Sequence, residues 1–149
     1  MRSFRFSAAA ALAYRRRQRD AALARQASAE RALMEAERAV GSASDTVGRA
    51  DAQLADATRQ SLEASRLLWH LAWRARCVGA REQLDAQRQQ RSLELEQVRQ
   101  VVNEAHRRVR SLERLRENAL QGWTELVQLE ERKTMDALAA SQFVRRKGE

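Results

Sequence analysis

The dominant pattern along the chain is a seven-residue repeat of small apolar positions. Alanine recurs at Ala22, Ala29, Ala36, Ala43, Ala50, Ala57 and Ala64, and Leu33, Val40, Val47 and Leu54 stand three residues ahead of four of them. Leu12 and Leu68 share the same phase. Apolar residues alternating at three and four positions form the a/d seam of a coiled coil. The repeat therefore predicts a long helix from about residue 8 to 76, with seam exceptions at Arg19, Gln26 and Ser61. A second seam follows: Leu95, Val98, Val102, Ala105, Val109, Leu112, Ala119, Trp123 and Leu126, interrupted by Arg88, Arg91 and Arg116. It predicts a helix over about 81–145. Leu115, Leu120, Val127 and Leu129 widen this stripe past Arg114. A wider apolar stripe calls for a further contact, with another part of the chain or with a partner.

Between the seams, Arg76-Cys77-Val78-Gly79-Ala80 contains the best punctuation. Gly79 suits a helix C′ position, so the turn is expected at about 77–80. Folding back about residue 78 would oppose Leu33 to Trp123, Val47 to Val109 and Leu54 to Val102, with Val40 against Arg116 as the mismatch. Gly41 and Gly48 bracket a locally loop-like segment. The heptad crosses it through Val40, Ala43, Val47 and Ala50 without a slip, which predicts one unbroken helix rather than a three-helix bundle. The expected fold is all-α: a single-domain, long antiparallel two-helix coiled-coil hairpin over 1–149.

Composition agrees. The chain has 149 residues, no proline and five glycines, too little turn chemistry for a many-stranded sheet. Its single cysteine, Cys77, rules out an internal disulfide framework. No apolar run reaches the length of a membrane span. The N-terminal run around Phe6 to Ala13 resembles a targeting segment in its arginine and alanine content. It is short and runs at once into Arg15, Arg16 and Arg17, which argues against a signal peptide.

Catalytic chemistry is absent by motif. There is no glycine-rich phosphate loop, no G-x-S-x-G and no H-E-x-x-H. His70 and His106 are isolated, and no metal or cofactor is expected. Cys77 has Arg76 and Arg81 beside it but no His–acid constellation, so it reads as an inert thiol. The chain is expected not to be an enzyme.

The formal net charge is +8, almost all of the basic side being arginine. Residues 1–38 carry +5, 39–65 carry −2, 66–116 carry +6 and 117–149 carry −1. In a hairpin about Gly79, the acidic 39–65 segment would lie beside 92–116, leaving positive charge at the two ends. One end holds Arg15, Arg16, Arg17 and Arg19 with Arg145, Arg146 and Lys147; the other holds Arg66, Arg74, Arg76 and Arg81. Such clusters bind acidic protein surface or nucleic acid, or are merely solvated. No nucleic-acid module is present, and 20 interleaved acids dilute a phosphate-tracking stripe. The most apolar heptapeptide, Leu67 to Trp73, places Trp69 and Trp73 on one helix face. They either close the end of the coiled coil or anchor a protein partner.

The chain also resembles the FliJ/YscO family of type III export proteins. The likeness rests on Ser3-Phe4-Arg5-Phe6, then Leu12, Arg15-Arg16-Arg17 and Ala21-Ala22-Leu23. In the second half it rests on Leu112-Glu113-Arg114-Leu115, Glu130-Glu131-Arg132-Lys133-Thr134-Met135-Asp136-Ala137-Leu138-Ala139 and Phe143-Val144-Arg145-Arg146-Lys147. The family's N-terminal proline is missing, and the alanine and arginine content points toward the virulence branch. The resemblance implies a cytoplasmic, non-enzymatic central stalk and adaptor, peripherally associated with an inner-membrane export apparatus. Its implied partners are a hexameric secretion ATPase, the cytoplasmic domain of an export-gate membrane protein and, in some members, export chaperones. It assigns Arg15, Arg16, Arg17, Arg19, Phe143, Arg145 and Arg146 to the ATPase, and by position Leu68, Trp69 and Trp73 to the export gate. From the residues alone, a structural coiled-coil scaffold and a basic nucleic-acid-binding rod remain open as alternatives.

Overall fold

The computed structural model describes residues 3–60 and 63–147, the side chains of 143–147 excepted. Two helices make up nearly all of it: α1, Ala9–Arg59, and α2, Ala64–Lys147. They pack antiparallel, so the fold is the expected all-α hairpin. α1 runs unbroken through Gly41 and Gly48. Its first turn is closed by the Ala9 N–H donating to the Phe6 carbonyl at 3.2 Å.

The turn is not at Gly79. The helices are joined at residues 60–63, and Gly79 lies inside α2. The last α1 bond runs from the Gln60 N–H to the Asp56 carbonyl at 3.0 Å, and the Glu63 carbonyl opens α2 by accepting from Arg66 and Leu67 at 2.9 and 3.1 Å. Glycine punctuation misleads here because a glycine in an exposed helix position costs only about 1 kcal/mol, which packing offsets. Helices of 51 and 84 residues replace two equal arms.

The register moves with the turn. Val47 and Ala50 pack against Cys77, not Val109 and Ala105. Asp51 accepts from Arg74, so the acidic part of α1 lies beside the start of α2 rather than beside 92–116. The α2 seam consequently begins earlier, with Cys77 buried and His70 and Leu84 half-buried in line with Leu95, Val102 and Val109. Arginine at seam positions 88 and 91 obscured this. Arg88 turns its head aside to Asp85 and Arg91 to Glu94, both at 2.8 Å; Arg88 stays half-buried on the seam, while Arg91 is exposed.

The chain packs as two units. The first holds residues 20–104, the second 1–19 with 105–149. The 20–104 unit contains buried Ala22, Val47, Ala50, Ala57, Cys77, Leu95 and Val102, with a peripheral Arg99–Glu30 pair at 3.9 Å. Alanine at the tightest position, Ala50, lets the backbones approach closely. The 1–19/105–149 unit buries Leu12 and Val109. There Arg16 donates through Nε and Nη2 to one Glu113 oxygen at 3.2 and 2.7 Å. Phe4 lies on Trp123 with ring centroids 6.0 Å apart.

Candidate functional site

The first four turns of α2 carry apolar groups on both faces. Toward α1 go Cys77, half-buried His70 and the stem of Arg74. The opposite face presents Leu68, Trp69, Ala72, Trp73 and Arg76 to solvent, spaced as neighbours on a helix surface. Trp69 is 56% exposed and Trp73 36%. A hairpin packs one face of each helix, which leaves this side at the surface among the described residues.

The exposed rings are ordered by one another. The indoles of Trp69 and Trp73 stack at 6.3 Å with an interplanar angle of 11°. The imidazole of His70 meets Trp69 edge-on at 5.1 Å, and the Arg76 guanidinium carbon lies 5.7 Å from the centre of the Trp73 ring. Arginine over indole is an attractive cation–π arrangement. The result is a continuous column, Arg76–Trp73–Trp69–His70. From Arg66 to Arg81 there are four arginines and no acid. His70 Nδ1 is shielded from solvent without a hydrogen-bond partner among the described residues. A pre-ordered aromatic surface in a basic setting is the composition of a protein-binding hot spot.

The arginines expected to act together near the N-terminus are in different states. Arg16 is occupied by Glu113. Arg15 donates to Gln18 Oε1 at 2.8 Å and lies over the Tyr14 ring, whose hydroxyl accepts from Gln18 at 2.8 Å. Arg17 is exposed and Arg19 half-buried. Phe143, Arg145 and Arg146 have side chains outside the described residues. The Trp-bearing face and the arginine cluster fall in different units.

Two features escaped the motif reading. Phe4 anchors the chain's start on Trp123, a contact that the F-x-F opening hinted at. On α2, Arg107, Arg110 and Arg114 line one open groove with Leu115 and Asn118. The widened apolar stripe was the signal for it.

Among the described residues no group of His, Cys, Asp and Glu is placed to hold a metal, and no helix is long and apolar enough to cross a membrane. A family model described as flagellar FliJ protein matches residues 10–148. No curated protein and no solved structure gives a significant match.

Proposed function

The chain belongs to the flagellar FliJ protein family, a component of flagellar and type III protein export, and we propose from that membership that it is the non-enzymatic central stalk and adaptor of an export ATPase. The match across nearly the entire chain carries this reading, and the hairpin supports it. A two-helix element inside a ring of identical ATPase subunits presents a different face to each. Such differential contacts bias the subunits toward different states, the physical requirement for allosteric activation.

In this reading Arg15, Arg16, Arg17, Arg19, Phe143, Arg145 and Arg146 engage the hexameric ATPase. Leu68, Trp69 and Trp73 engage the cytoplasmic domain of the export gate, a membrane protein. That contact would hold the chain at the cytoplasmic side of the inner membrane. Export chaperones are further partners. The exposed indole column supports the gate assignment, since stacked aromatic side chains at a surface are typical anchors for a protein partner.

The test is reconstitution with the cognate ATPase. Substoichiometric wild-type protein is expected to stimulate ATP hydrolysis. Replacing Arg15, Arg16 and Arg17 by Glu should abolish stimulation, while Trp69→Ala with Trp73→Ala should leave it intact and weaken binding to the gate domain by about tenfold or more. No stimulation by the wild-type chain sinks the stalk reading.

A further inference from the structure

The strip of α2 around the indole column is basic at both ends. Arg66 stands three residues before Trp69 and Arg76 three after Trp73, so the paired rings lie between two arginines along the helix surface. Both arginines are exposed, and neither has a hydrogen bond or ion pair between its side chain and another described residue. The other two cations of this stretch are engaged: Arg74 donates to Asp51, and Arg81 acts on Asp85. No acid stands on α2 between Arg66 and Arg81. Glu63, just before the strip, meets Arg66 through its backbone carbonyl and not through its carboxylate.

Arg76 is the better prepared of the two free cations. Its guanidinium carbon lies 5.7 Å from the centre of the Trp73 ring, and Trp73 stacks in turn on Trp69 at 6.3 Å. An arginine resting on an aromatic ring keeps its planar fork of N–H donors available in a fixed orientation. That fork matches a carboxylate, and little side-chain freedom is left to lose when one binds. Beside the column, Ala72 and Ala75 are small and exposed, which gives the backbone of a partner room to approach. Leu68, Trp69 and Trp73 supply apolar area next to the cation.

We propose that this strip receives a protein segment in which a carboxylate stands beside large apolar side chains, Arg76 taking the carboxylate and Trp69 and Trp73 the apolar groups. Under the export-gate reading, on which this rests, the segment belongs to the gate's cytoplasmic domain. Charge complementarity selects the acid, and the indoles select its apolar neighbours. A nucleic acid fits the column less well. Trp73 already lies between Arg76 and Trp69, so a base could stack on it only by displacing one of them.

Selection of random phage-displayed peptides on the full-length chain tests it, with the Trp69→Ala/Trp73→Ala variant used to subtract unrelated binders. Enriched peptides are expected to carry Asp or Glu close to Leu, Phe or Trp. For the tightest synthetic peptide, changing its acid to the amide should weaken binding to the wild-type chain by at least about tenfold. On Arg76→Gln, the acid and amide peptides should bind within about twofold of each other, the coupling that a direct pair requires. Arg76→Lys keeps the charge without the fork, and should bind the acid peptide at least about threefold more weakly than the wild type does. Unchanged helix content by circular dichroism verifies folding of each variant. The proposal is overturned by an absence of enrichment, by enriched peptides without an acid, or by an acid-to-amide ratio that Arg76→Gln leaves unchanged. A single-stranded oligonucleotide that binds through Trp69 and Trp73 more tightly than the peptide also overturns it. Competition separates this pairing from the reading beneath it: a cognate gate domain that fails to displace the peptide removes the gate assignment, while the acid–Arg76 coupling is measured without that domain.

Discussion

At the scale of single residues, the arginines interrupting the seam show how a charged side chain can occupy a core-facing row. Arg88 sits on the α1-facing side of α2 but swings its Nε toward Asp85 Oδ1 at 2.8 Å, and Gln89 donates to the other carboxylate oxygen at 3.1 Å. The hydrogen bond from Arg88 holds the Asp85 carboxyl below its ordinary value of 3.8, against a smaller opposing effect of desolvation. The sign follows from linkage. A carboxyl whose folded-state value is depressed adds stability above 3.8, and that contribution is lost as the pH falls through the folded value. The group is at the surface, so the contribution is small. Carboxyl-resolved NMR titration should find Asp85 titrating below 3.8, and Arg88→Gln should move it back up. An unshifted Asp85 in the wild-type chain contradicts the pairing.

At the scale of elements, the position of the turn has a decisive substitution. Gly79 lies within α2, and a methyl group there would meet nothing within 4 Å. Alanine removes backbone freedom from the unfolded chain and fits a helix, so Gly79→Ala should stabilise by about 0.5–1 kcal/mol. Had Gly79 been a left-handed C′ residue, the same change would destabilise by about 1 kcal/mol. Urea unfolding decides between them by the sign of the shift in midpoint. The elements were legible from periodicity because a/d spacing reports directly which face is buried. Helix type, antiparallel packing and continuity through Gly41–Gly48 all followed from it. The join was not legible, since Gln60 and Glu63 are ordinary helix residues and nothing among 60–63 is glycine or proline. Of the candidate site, the pair Trp69 and Trp73 could be read from their spacing. Their stacking, the cap by Arg76 and the engagement of Arg16 by Glu113 depend on rotamers and cross-helix register, which spacing does not carry.

For the molecule as a whole, the two units differ in how much apolar surface they bury. Among the described residues, seven of the nine buried hydrophobic ones lie in the 20–104 unit, while the 1–19/105–149 unit has Leu12 and Val109, helped by the Phe4–Trp123 contact. Each fully buried Leu or Val contributes on the order of 1.5–3 kcal/mol, and surface pairs such as Arg16–Glu113 contribute under about 1 kcal/mol. Local opening free energies should follow this difference. Amides of 105–142 are expected to exchange at least about tenfold faster than those of 70–102, measured by hydrogen exchange with mass spectrometry. Leu95→Ala should then lower protection across the 20–104 unit, at a cost of about 2–4 kcal/mol. Phe4→Ala should raise exchange around Trp123 and leave 70–102 unchanged. Uniform protection from 70 to 142 would contradict the division into units. The less protected unit is also the one bearing Arg15, Arg16 and Arg17. The surface proposed for the ATPase thus lies where ordering by a partner has the most to add.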